Sequence, residues 1–170
     1  VATWNPMLSE ILANQKGELV FDSSKIPGEI IDAMMINTET LKDNPALGKA
    51  LVGAWFETLS LMASDTPEGK AALESMAAAS GTDLAGYKAQ LAATALFYTP
   101  EKLLEFTNDA KLKQTTKFVA EFLFDHGILG EGAPSAEFVG VEFPDGSVYG
   151  DANNVKLRFD NSFVEMAAKG

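Results

Sequence analysis

Four times in this chain a helix-capping side chain is followed directly by proline: Asn5-Pro6, Asn44-Pro45, Thr66-Pro67 and Thr99-Pro100. Proline at the first helical position gives up an N–H that would have had no partner there, and its fixed φ begins the turn, so each pair marks a helix start. Thr82 with Asp83 reads as a fifth cap. Behind Asn44 the residues Ala50, Leu51, Ala54, Trp55, Thr58, Leu59 and Met62 follow the three, four and seven spacing of a helix stripe. Leu112, Val119, Phe122 and Leu123 repeat that spacing later. Both stripes predict core faces, and at this periodicity Trp55, Met62 and Phe122 read as packing residues rather than ligand walls. The chain is predicted to be mostly helical.

The first 37 residues are of another kind. Glu18-Leu-Val-Phe-Asp22 and Glu29-Ile-Ile-Asp-Ala-Met-Met-Ile36 are short apolar runs. The second is nearly continuous, as for a strand buried on both faces, so both are predicted as strands. Between them Asp22-Ser-Ser-Lys-Ile-Pro-Gly28 is a loop rich in hydroxyls and turn formers. Near the other end Phe143-Pro-Asp-Gly146 is a turn signal that joins extended pieces at 139–143 and 147–149 into a small hairpin. A further strand at 155–159 and a short helix at 161–168 complete the reading, which is α/β and helix-rich. No internal repeat of fixed period is visible.

A length of 170 residues corresponds to one domain at about 150 residues each. With 46% hydrophobic and 22% charged residues the chain has the makings of a core, and collagen-like or disordered classes are excluded. Thirteen Lys and Arg against 24 Asp and Glu give a net charge of −11, and the basic residues are scattered. Neither a phosphate backbone nor an anionic membrane is gripped by such a surface, so no nucleic-acid partner is expected. No apolar run reaches the roughly 20 residues of a bilayer span, and residues 1–6 lack the basic and apolar regions of a signal peptide. The absence of Cys removes disulfides, thiolate metal sites and a cysteine nucleophile.

Signatures of catalysis are sparse. The single His126 has no second His or Cys with which to share a metal, and it precedes Gly127 at a predicted helix C-terminus, where the helix dipole favours it. Arg158, the one Arg, has Asp160 nearby as an ordinary ion-pair partner. No nucleophile elbow, phosphate-binding loop or dinucleotide fingerprint occurs. No cofactor and no metal are expected. Three features stand out from plain scaffold: Trp4 and Asn5 in Thr3-Trp-Asn-Pro6, Ser23 and Ser24 in the loop after Asp22, and Glu29 with Asp32 at the head of the second run. Hydroxyls and amides beside a flat aromatic wall can hold a small polar solute. Equally, Asn5 can be only a cap, the serines only turn residues and Asp32 only an ion-pair partner; spacing leaves both readings open.

Trp4-Asn-Pro6, Val20-Phe-Asp-Ser-Ser-Lys-Ile-Pro-Gly-Glu-Ile-Ile-Asp32 and Asn44-Pro-Ala-Leu-Gly-Lys-Ala-Leu51 resemble the second half of ABC-transporter solute-binding proteins, in the branch that serves nitrate, taurine and thiamine precursors. Ala85-Gly-Tyr-Lys88, Phe97-Tyr-Thr-Pro100, Phe124-Asp-His-Gly127, Gly130-Glu-Gly-Ala-Pro-Ser135 and Leu157-Arg-Phe-Asp160 extend the likeness, toward members of the urea-binding type. The ordered series spans nearly the whole chain, although no single motif in it is highly specific.

The resemblance implies a partial class II periplasmic-binding-protein fold: residues 1–17 as the end of the second lobe, 18–37 as hinge-crossing strands and ligand loop, and 38–170 as the helical part of the first lobe, together a single partial domain. It implies an extracytoplasmic location, ABC permease subunits as partners, and capture of a small-molecule solute rather than chemistry. The expected site is Trp4 as wall, Asn5, Ser23 and Ser24 as hydrogen-bonding groups, and Glu29 or Asp32 as anionic group. With these two carboxylates and only Lys25 nearby in sequence, the expected solute is neutral or amine-bearing, a urea or an amide. A chain lacking the parallel neighbours of 30–36 is expected to be a fragment that self-associates through open strand edges. Two alternatives stand beside this: a thiamine-pyrimidine synthase-like enzyme of the same fold, whose reactive His does not fall in the segment of His126, and a helical interaction module without solute.

Overall fold

The computed structural model describes residues 1–169. Eight α-helices lie among them: α1 Met7–Ala13, α2 Thr38–Asp43, α3 Pro45–Ala63, α4 Pro67–Ala79, α5 Leu84–Ala92, α6 Pro100–Asn108, α7 Ala110–Asp125 and α8 Ser162–Lys169. Three short strands, β1 Gly140–Glu142, β2 Val148–Tyr149 and β3 Val155–Arg158, form the one small sheet, so the chain is α/β and helix-rich.

Caps set the helix starts. The Thr66 hydroxyl accepts from the Gly69 N–H at 3.1 Å, Asp83 accepts from Gly86 N–H at 2.7 Å, and Asp109 accepts from Lys111 N–H at 2.8 Å. Each satisfies one of the N–H groups that a helix leaves without an internal partner. Helix α2 is absent from the sequence reading. Its start is signalled by Asn37, whose side-chain oxygen accepts from Glu39 N–H at 3.0 Å and Thr40 N–H at 3.2 Å. Asn5 behaves differently from the expected cap: Pro6 occupies the cap position of α1 without a side-chain hydrogen bond, and the Asn5 oxygen accepts from the Ser9 hydroxyl at 2.7 Å.

The described chain divides into two compact units. One comprises residues 1–26 and 54–99; the other comprises 27–53 and 100–170. Helix α3 contributes its first half to the second unit and the remainder to the first.

In the first unit α4 packs on α5, and Phe56, Leu59, Leu73 and Ala77 are buried. The expected α3 stripe holds at Leu59, 3% exposed, and departs at Trp55, which is 46% exposed while its neighbour Phe56, outside that stripe, is buried. Ala50 and Ala54 also face solvent. The long apolar composition of α3 offers more than one stripe, and periodicity alone does not choose between faces one residue apart. Thr58 is placed at the edge of this face, its hydroxyl donating to the Ala54 carbonyl at 2.7 Å.

In the second unit α6 packs on α7 and α8, and Leu112, Ala136, Phe143 and Val164 are buried. Gly48 permits α8 to come close, since a Cβ there would lie 2.6 Å from the Phe163 ring. Phe122, expected in the core, is 47% exposed; its ring stacks on His126, centroid to centroid 4.0 Å. Val119 and Leu123 are only partly buried, so Leu112 alone of that stripe is fully covered.

The sheet has order β2-β1-β3, with β1 antiparallel to β2 and parallel to β3. The hairpin turn is where the sequence signal put it. Phe143 N–H donates to Ser147 carbonyl at 2.9 Å, and Gly146, with φ of 80°, takes the left-handed position that glycine tolerates best. The Asp145 carboxylate accepts from Ser147 N–H and hydroxyl and pairs with Lys113. That ion pair holds its carboxyl well below the usual carboxylate range. Arg158 pairs with Glu142 across the parallel strands at 3.0 Å rather than with Asp160, which instead accepts from Ser162 N–H at the start of α8. The β3–β1 pairing aligns Arg158 with Glu142, a proximity that neighbourhood in sequence does not reveal.

The two predicted strands at 18–22 and 29–36 do not form. The first is irregular up to a single 3-10 turn, Ser23–Lys25, and the second is irregular up to α2. Among the described residues no N–H of 30–36 donates to another backbone group. Val20 is 95% exposed, Ile30 67% and Met35 77%, so apolar side chains of core type lie in solvent. A strand forms only with a neighbour to complete its ladder, and among the described residues neither run pairs with a strand.

The burial of Phe56 in place of Trp55 gives a test of α3. Phe56→Ala should lower the unfolding free energy by roughly 3–5 kcal/mol, the range for truncating a buried phenylalanine, whereas Trp55→Ala should cost no more than about half of that because its ring is substantially hydrated. Urea unfolding of both variants checks this; a larger loss at Trp55 would restore the stripe read from periodicity.

Candidate functional site

The six residues singled out by the sequence are distributed over both units. Trp4, Asn5, Ser23 and Ser24 belong to the first, Glu29 and Asp32 to the second. Trp4 is 73% exposed, so within its own unit it is an open aromatic surface rather than the wall of a closed pocket. Asn5 is engaged by Ser9, as described above.

The loop after Asp22 is ordered by its own side chains. The Asp22 carboxylate accepts from both the hydroxyl and the N–H of Ser24, the latter at 3.0 Å, and Ile26 N–H donates to the Ser23 carbonyl at 3.1 Å. This is an Asx turn closing a 3-10 turn. The Ser24 hydroxyl proton is thereby committed to Asp22, and the hydrogen bonds from Ser24 hold the Asp22 carboxyl below its ordinary range. Asp22 was the residue that the sequence reading left out of the site, although an aspartate two positions before a serine is the signal for such a turn. The Ser23 side chain is exposed. Glu29 is partly buried and Asp32 is exposed.

A concavity lies elsewhere, inside the first unit. It is an open recess of about 640 Å³ formed by the end of α3, the start of α4, α5 and residues 94–98. Met62, Leu91 and Leu96 line it together with Asp65, Lys70, Lys88 and Tyr98, so its surface is mixed. Neither the sequence motifs nor the helix stripes pointed to it, because its residues come from four segments that only the packing of α4 on α5 gathers. In the second unit a recess of about 40 Å³ between Gly28 and Phe106 has room for little more than a water molecule.

His126 is the C-cap of α7, with Nδ1 donating to the Phe122 carbonyl at 2.8 Å, so its ring serves the helix end. Among the described residues no three His, Asp or Glu side chains are placed to hold a metal ion, and no helix is long and apolar enough to cross a membrane. No family model, curated protein or solved structure matches the chain.

Ser24 supplies the measurement that decides how its loop is used. Ser24→Ala should move the Asp22 carboxyl back toward the ordinary value of about 4, followed by carboxyl-carbon NMR. Because the folded value is depressed, the turn contributes stability above that pH and loses it as pH falls through the folded value. An unmoved Asp22 titration would show the hydroxyl to be free for a solute.

Proposed function

We propose that the chain is part of an extracytoplasmic solute-binding protein for an ABC importer, with a partial class II periplasmic-binding-protein fold, and that it captures a small polar solute without breaking a bond. The observation that carries this is the run at 29–36. Its residues have the two-faced apolar character of a central parallel strand, yet no ladder forms on them and Ile30, Ile31, Met34 and Met35 are exposed. Such a run is accounted for when neighbouring strands come from polypeptide beyond this chain, as in the lobes of the proteins that the Trp4-Asn-Pro6, Asp22-Ser-Ser-Lys25 and Asn44-Pro-Ala-Leu47 segments resemble. Alone, the same run favours association with other chains.

Under this reading Trp4, Asn5, Ser23 and Ser24 of the first unit contact the solute, after Asn5 has exchanged Ser9 and Ser24 has exchanged Asp22 for it. A chain of net charge −11 disfavours an anion, and a urea or amide offers N–H donors to the Asn5 oxygen and a carbonyl to the hydroxyls.

Calorimetric titration of the longer polypeptide with urea, acetamide, nitrate and taurine tests the proposal. Urea or acetamide should bind, and Trp4→Ala should weaken that binding by about tenfold or more, the usual scale for truncating a buried aromatic contact. Tight binding of nitrate or taurine with no response to the amides would overturn the solute class, and binding of none of the four would overturn the capture reading.

A further inference from the structure

Helix α7 carries two apolar faces, and its own unit covers one of them. Leu112 is buried and Val119 and Leu123 are partly buried on one side, while on the other Phe118 is 54% exposed and Phe122 47%. The open face has a symmetry of its own. Lys111, Gln114, Phe118, Phe122 and Asp125 are all exposed and follow one another at spacings of three, four, four and three residues. At 3.6 residues per turn they share one stripe, whose spacing is the same in both directions from Phe118. We propose that this stripe is the interface of a two-fold dimer, in which α7 of a second copy of the chain packs antiparallel on it about Phe118.

The charges select that partner and that direction. Turning a second α7 about Phe118 sets Phe118 on Phe118, Gln114 of each copy beside Phe122 of the other, and Lys111 of each copy opposite Asp125 of the other, because Lys111 and Asp125 lie seven residues before and after the axis. A parallel pair would instead set Lys111 against Lys111 and Asp125 against Asp125. Within one copy both charges are misplaced. A lysine in the first turn and an aspartate at the last residue each oppose the dipole of their own helix, and neither makes an ion pair among the described residues. An antiparallel neighbour, whose dipole runs the other way, turns both effects favourable. The rings supply the attraction, since two phenylalanines from each copy leave water. The net charge of −11 on each copy opposes association at long range, and salt screens that distant repulsion more than it screens a touching pair. One helix pair buries less area than a standard interface, which places the dimer at a micromolar rather than a nanomolar Kd.

Sedimentation equilibrium of the full chain at physiological salt tests this. It should show a reversible monomer–dimer equilibrium with a micromolar Kd, and Phe118→Asp should remove the dimer while circular dichroism shows the helix content unchanged. Lys111→Glu alone and Asp125→Lys alone should each weaken the dimer by about tenfold or more, because two attractive contacts per dimer become repulsive. Neither endangers the fold, since each places at its helix end the charge that the dipole favours. An equimolar mixture of these two single variants has opposite charges facing at both ends and should associate as the unaltered chain does; the double variant should do the same. Met35→Lys, in the exposed run before α2, should leave the dimer intact, which separates it from association through strand edges. A chain that stays monomeric into the millimolar range, a dimer that survives Phe118→Asp, a loss in Met35→Lys, or single charge variants whose mixture gains nothing would each overturn the assignment.

Discussion

Backbone N–H and C=O groups taken from water must be bonded, and an apolar strand with no neighbour has no means of bonding them. Residues 29–36 are held by this constraint. Most of their side chains are apolar, but their backbone cannot enter an interior without a ladder, so they stay irregular ahead of α2 with Ile30, Ile31, Met34 and Met35 exposed. The same constraint explains what is ordered nearby. The 3-10 turn at Ser23–Lys25 closes because Asp22 supplies a local acceptor, and α2 begins because Asn37 does. Local acceptors order the two ends of the segment, and nothing local can order its middle.

Helices meet the same requirement within themselves, which is why the rest of the chain is well defined. Each unit gathers a modest buried cluster, Phe56, Leu59, Leu73 and Ala77 in one and Leu112, Ala136, Phe143 and Val164 in the other. The small sheet survives because β1 has a neighbour on each side and because Lys113 and Asp145 tie α7 to its hairpin.

The helix starts were legible because capping is a contract between residues three positions apart or fewer, visible at Thr66, Asp83 and Thr99-Pro100 without knowledge of the fold. The Phe143-Pro-Asp-Gly146 hairpin was legible for the same reason. What did not follow from local spacing was not: Phe56 is buried where its neighbour Trp55 is exposed, and the pairing of Arg158 with Glu142 is made by the register of β1 and β3. The strand predicted at 29–36 does not form, because composition reports what a segment suits and not whether a partner strand is present. Of the candidate site, Asn5 and Ser24 were found as polar residues, but their engagement by Ser9 and Asp22 requires coordinates. The recess beside Lys88 could not be read at all, since its walls are separated in sequence and share no motif.

Hydrogen exchange on the chain in dilute solution tests the central claim most directly. If 29–36 is a strand without its sheet, the amides of 30–36 should exchange within about tenfold of unstructured-peptide rates while those of α3 and α7 are slowed far more. Strong protection of these amides in the dilute chain by itself would contradict the account, because it would show that the run already has the partner whose absence the account requires.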